Sequence, residues 1–311
     1  MEKNVHTFIG CDCEYDDSKI VLFGAPYDST TSFRPGTRFA SSAMRNESFG
    51  IETYSPYQDK DLLDVNVFDS GDLELPFGNP EGALRDIQSR TSEILDDGKV
   101  PCMIGGEHLV TLGAVRAVAE KYPDLHIVHF DAHADLRDDY LGVKESHACV
   151  LHRCWDIVGD EKIYQFGIRS GDRDEFKFAK EHTFMEKFGF FRLDSIVKKL
   201  HGKPVYFTLD LDVLDPSEFP GTGTPEAGGV TFKELMFAVE EVAKLNIVGF
   251  DVNELSPVYD QTGRSTALAC KLLREILCIF INKRGKLWGY LIFLRKRILT
   301  SMCKMNQRRK L

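Results

Sequence analysis

The chain has 311 residues, 43% hydrophobic and 28% charged, with a formal net charge of −9, which suits a globular protein with a sizeable core and excludes a disordered or fibrous one. Ten of the 39 Lys and Arg fall in 283–311, where there is no Asp or Glu, so the rest sets 29 basic against 48 acidic side chains, a net charge of −19. Such a body disfavours nucleic acid and suits a cationic small molecule or metal ions.

Residues 1–10 lack the basic region and apolar run of a secretory signal. Strands are expected to begin near Ile20 and Asn66, followed by helix-period apolar spacing over 80–97. The apolar run Val100–Ile104 leads into Gly105-Gly106-Glu107-His108 and a helical segment over 108–121. Another buried run ends at Phe130, directly before Asp131-Ala132-His133-Ala134-Asp135. Strands near Lys162 and Phe188 flank a helical segment over 172–181. A strand near Val205 runs into Asp210-Leu211-Asp212, and a helical segment over 231–244 precedes a last strand near Ile247. Apolar strands alternating with helices predict an α/β fold, a mostly parallel sheet of about eight strands covered on both faces. No Pro/Ser-rich linker breaks the series, so one domain is expected over 1–282.

All three charged motifs stand at strand carboxyl ends, where open parallel sheets gather ligands. Side chains alternate along an extended chain, so 131, 133 and 135 are expected on one side, and 210 with 212 likewise. With His108 they offer four carboxylates and two imidazoles, a charge that is prohibitive to bury unless paired or bound to metal. Oxygen-rich coordination favours Mn²⁺ over a thiolate-built Zn²⁺, and six ligands fit two ions better than one. Two such ions would deprotonate a shared water. Helix capping would explain an isolated Asp-x-Asp, but not three motifs each at a strand end. The eight cysteines form no Cys-x-x-Cys pair and read as reduced thiols of a cytoplasmic protein.

The ordered signatures Gly-Gly-Glu-His, Asp-Ala-His-x-Asp and Asp-x-Asp-x-x-Asp-Pro resemble those of the ureohydrolase (arginase and agmatinase) family, from about Ile20 to Leu277. The resemblance implies a three-layer α/β/α sandwich. It implies one Mn²⁺ held by His108, Asp131, Asp135 and Asp210, and another held by Asp131, His133, Asp210 and Asp212. His147 resembles the histidine that moves protons between site and solvent; Glu254 resembles the glutamate that receives the substrate guanidinium. A homo-oligomer, trimer or hexamer, is implied too.

The segment Leu136-Arg137 with Ser146-His147-Ala148 differs from arginases and is similar to bacterial agmatinases, as are Ser32–Arg38 and Gly221–Glu226. The resemblance thus implies hydrolysis of agmatine to putrescine and urea by a hydroxide held on two Mn²⁺ ions. Alternatives are a guanidinobutyrase, arginase or formiminoglutamase, with Arg137 the obvious partner for a substrate carboxylate. A single-zinc deacetylase and a non-catalytic metal-binding protein are more distant readings. The basic segment 283–311 is read as a disordered or appended extension; its eight-residue apolar stretch is too short to span a bilayer.

Overall fold

The computed structural model describes Met1 and residues 6–280. Eight strands form its main sheet: β1 (Ile20–Gly24), β2 (Val67–Asp72), β3 (Val100–Ile104), β4 (His126–Phe130), β5 (Ile163–Ile168), β6 (Phe184–Lys187), β7 (Pro204–Asp210) and β8 (Asn246–Asn253). Their order is β2-β1-β3-β8-β7-β4-β5-β6, and every neighbouring pair is parallel. A two-residue antiparallel pair, Tyr54–Ser55 with Lys60–Asp61, stands apart.

Both faces are covered, as parallel sheets require. On one face lie α2 (Pro80–Asp96), α3 (Val110–Lys121), α4 (Val150–Val158) and α5 (Arg173–His182); on the other lie α1 (Ala40–Ser48), α6 (Leu193–Lys199), α7 (Phe232–Val242) and α8 (Arg264–Phe280). Strand side chains divide between the two cores with period two. Ile20, Leu22, Val128 and Phe130 enter one; Val21, Phe23 and Ile127 enter the other. Phe130 meets Phe166 and Phe207 edge-on at 5.8 and 5.0 Å, and each such fully buried ring stabilises the core by roughly 1.5–3 kcal/mol. The three-layer expectation is met.

Two helix starts are sharper than periodicity suggests. Asp172 and Thr231 cap α5 and α7 in reciprocal capping boxes with Glu175 and Glu234. The sixth strand begins at Phe184, not near Phe188. Phe188 has φ +65° and is 64% exposed, so the apolar Phe188-Gly189-Phe190-Phe191 run that resembles a strand is a turn. Helices α1, α4 and α6 escaped the periodicity because they are short, nine, nine and seven residues. Among the described residues no helix is long and apolar enough to cross a membrane. The expected extension at 283–311 lies outside the described residues.

Candidate functional site

The central strands β3, β8, β7 and β4 end side by side, with Ile104 opposite Val252, Asp210 opposite Asn253, and Phe130 opposite Leu209. The Gly-Gly motif makes this crowding feasible. A Cβ on Gly106 would stand 1.9 Å from the Tyr27 carbonyl oxygen, and one on Gly105 would stand 1.8 Å from Asn253 Oδ1. Side chains at both positions are therefore excluded, and His108 swings over the sheet edge just before α3.

The convergence is real, but period-two alternation does not produce it. Strand β4 stops at Phe130, and Asp135 adopts φ +53°, so 131–135 is a loop that runs on beside the segment following β5, with His133 bridging Ser170. After Asp210 the chain turns into a 3-10 segment, Leu211–Val213, with Asp210 Oδ1 accepting the Asp212 N–H at 2.8 Å. His108 Nδ1 lies 3.0, 3.2 and 3.4 Å from Asp131 Oδ2, Asp135 Oδ2 and Asp210 Oδ2. His133 Nδ1 lies 3.0 Å from Asp212 Oδ2 and 3.4 Å from Asp131 Oδ1. Asp212 Oδ2 is buried and yet accepts no hydrogen bond of acceptable geometry.

Among the described residues two groups of candidate metal donors result, His108, His129, Asp131 and Asp135 in one, and Asp131, His133 and Asp212 in the other; within each the donor atoms lie within 4.8 Å of one another. Asp131 is common to both. Asp210 is in neither group, although it touches His108. Five of the six expected ligands thus fall into the groups, and His129 is an addition that the sequence reading missed. Its signal was available: His129 stands on the strand, only two residues before Asp131.

The electrostatics ask for positive charge. Burial and the neighbouring Asp131 push Asp135 up to about 7. Burial, Asp212 and Asp131 push Asp210 well above the usual carboxylate range. Burial opposes ionisation of Asp131 too, but hydrogen bonds from His108, His129 and His133 hold it well below. His108 and His133 are drawn upward despite burial, by those same carboxylates. Protons here meet a demand that divalent cations meet better, and the orphaned Asp212 oxygen beside a histidine nitrogen fits such an ion.

Glu254 is buried beside these groups, with Oε1 accepting the His108 N–H at 2.7 Å. Burial and the nearby Glu107 and Asp212 push its carboxyl well up. His147 lines a cavity of about 300 Å³ together with Ser32, His133, Asp135, Arg137, Tyr140 and Thr224, among others. Its Nε2 accepts the Ser32 N–H at 3.2 Å, and the His147 backbone N–H donates to Thr30 Oγ1 at 3.1 Å. Burial, His133 and His108 push it down to about 4. Glu107, which was not expected to bind metal, takes hydrogen bonds from Thr30 and Thr31 and so anchors the loop that holds His147.

Arg137 stands in the cavity wall but is already engaged. Its guanidinium lies 2.8 Å from Asp172 and 3.5 Å from Glu175, over the Tyr140 ring. Arg34 ties together the two loops singled out in the sequence, donating from Nε to Gly223 O at 3.0 Å and from a terminal nitrogen to Thr222 O at 2.8 Å.

Comparison with known proteins agrees with this architecture. The Arginase family profile matches residues 18–278. The agmatinase of Bacillus subtilis (strain 168) is 46% identical over 279 residues, covering 88% of this chain and 96% of that protein. A crystal structure from Clostridium difficile, provisionally described as an agmatinase, superposes with a TM-score of 0.85 at 55% identity, covering 87% of this chain and 99% of that one. The agmatine ureohydrolase of Thermoplasma volcanium gives 0.81 at 34% identity, covering 89% and 95%. With its parallel eight-stranded sheet and a His/Asp cluster at the strand ends, this chain belongs to the arginase family and is a hydrolase of guanidino C–N bonds.

Proposed function

We propose that the protein hydrolyses agmatine to putrescine and urea, using two Mn²⁺ ions. One would be held by His108, Asp131, Asp135 and Asp210, the other by Asp131, His133, Asp210 and Asp212. When bound, the ions would supply Lewis acidity and a water acidified enough to be nucleophilic at neutral pH. Everything else falls to the chain itself. Glu254 receives the planar guanidinium through charge-assisted hydrogen bonds and fixes its central carbon. His147, neutral at pH 7 because burial and the neighbouring histidines hold it down at about 4, stands in the cavity wall, where it would pass protons between the site and solvent. The Thr30–Ser32 loop, braced by Glu107, keeps that imidazole facing the cavity.

The observation that carries the choice of substrate is the engagement of Arg137. A carboxylated substrate such as 4-guanidinobutyrate needs an uncommitted cation, and Arg137 already pairs with Asp172 and Glu175. The amine of agmatine needs no such cation, and its second positive charge suits the acidic body of the chain. The same reading proposes a cytoplasmic homo-oligomer, trimer or hexamer.

The test is urea release from agmatine, arginine and 4-guanidinobutyrate after Mn²⁺ loading, with Asp210→Asn as control. Agmatine turnover is expected to exceed the others by at least about tenfold, about 1.4 kcal/mol of discrimination, and the control to release no urea. Equal activity of Asp210→Asn would overturn the ligand assignment, and a preference for guanidinobutyrate would overturn the substrate.

A further inference from the structure

We infer that His129 is a positioning residue, not a metal ligand: Gln165 fixes its ring proton on Nε2, and the ring gives that proton to Asp131. The inference rests on the proposed role of Asp131 as a ligand. By residue type and place His129 would serve as a ligand as well as His108 does. It is fully buried, belongs to the first donor group, and has Nε2 2.8 Å from Asp131 Oδ2. Its other nitrogen decides the matter.

Gln165, on β5, is the register partner of His129 on β4. Its Nε2 lies 2.7 Å from the Ala134 carbonyl oxygen and 3.2 Å from His129 Nδ1. A carbonyl oxygen only accepts, so the amide nitrogen must be the atom facing Ala134. At the opposite end Gln165 Oε1 lies 3.2 Å from the Thr183 hydroxyl, a contact compatible with this orientation. The second amide N–H therefore goes to His129 Nδ1, which must present a lone pair. A neutral imidazole carries one N–H, which leaves it on Nε2, directed at Asp131. Both ring nitrogens are then occupied, and neither lone pair is left for an ion.

Two effects follow. Asp131 Oδ2 is held by His129 while Oδ1 faces His133 of the second donor group, without an additional positive charge in the site. The same amide also grips the carbonyl between His133 and Asp135, so Gln165 ties the ligand-bearing loop to the histidine beneath it.

The full-length chain tests this, with Mn²⁺ as the probe. In the metal-free wild type, long-range ¹⁵N–¹H spectra of histidine-labelled protein should put the His129 proton on Nε2, the resonance being identified by its loss in His129→Gln. A proton on Nδ1 overturns the inference whatever the metal does. In chelator competition, His129→Phe and Gln165→Met should bind Mn²⁺ about 10–100-fold more weakly, the usual effect of removing a partner behind a ligand. His129→Gln, which can still donate to Asp131 and accept from Gln165, should stay within a few-fold of wild type. Wild-type affinity in His129→Phe, or a loss in His129→Gln equal to that in His129→Phe, overturns the inference. Failure of the wild type to take up two Mn²⁺ ions sinks the metal assignment instead, and the tautomer measurement still decides the role of Gln165.

Discussion

Single residues show where burial has been accepted for function and where it has not. The site carboxylates are buried in company that keeps them useful. His126 is buried without any such gain: both ring nitrogens are buried with no hydrogen-bond partner, and the ring lies 6.0 Å from Tyr164. Burial first, then Lys162, pushes its pKa down to about 4. The unfolded chain protonates this histidine near 6.5 and the folded chain only near 4, so in that window the unfolded state binds more protons and stability falls as pH falls. His126→Phe removes two unsatisfied groups and should stabilise the fold at pH 7 by about 1 kcal/mol. Its advantage over wild type should widen from pH 6.5 to pH 4. Urea unfolding at pH 7 and pH 5 checks this; an equal gap at both would mean that the histidine does not titrate as described.

At the scale of elements, one residue often serves two ends. Asp172 caps α5, accepting the Asp174 and Glu175 N–H groups, and also pairs with Arg137 in the cavity wall. Asp172→Ala should cost about 1 kcal/mol through loss of the cap and should leave Arg137 freer to meet an anion. The ratio of 4-guanidinobutyrate to agmatine turnover should therefore rise. Thr231→Ala provides the comparison. It removes the equivalent cap from α7, a helix with no residue in the cavity, and should cost similar stability without altering that ratio. A ratio that moves equally in both variants would show that Arg137 plays no part in selecting substrate. Both N-caps stand as the first residue of their predicted helical segments, 172–181 and 231–244. The pairing of Asp172 with Arg137, 35 residues away, does not show in any local pattern.

For the whole molecule, every proposed ligand and proton carrier lies between His108 and Glu254, far in sequence from the basic stretch at 283–311. A chain ending at Asn282 should therefore release urea from agmatine at the full-length rate and bind the same amount of Mn²⁺. A substantial fall in either would give the basic stretch a part in function. The strand order, with β8 inserted between β3 and β7, brings together chain ends separated by as many as 146 residues, as in the hydrogen bond from the His108 N–H to Glu254.

The sequence by itself determined the parallel α/β layering, because apolar strands and amphipathic helices carry their periods locally. It also marked the candidate ligand motifs, because each is a short run placed directly after a buried strand. It did not determine how those motifs converge: Asp135 and Asp212 arrive through a left-handed residue and a 3-10 turn, conformations that no period encodes. Only the tertiary structure decided that Arg137 is spoken for, that His147 rests against Ser32 and Thr30, and that His129 faces Gln165. Each of these depends on a partner brought close by strand order or loop packing, and hydrogen bonding and desolvation act through distance in space, which spacing along the chain does not specify.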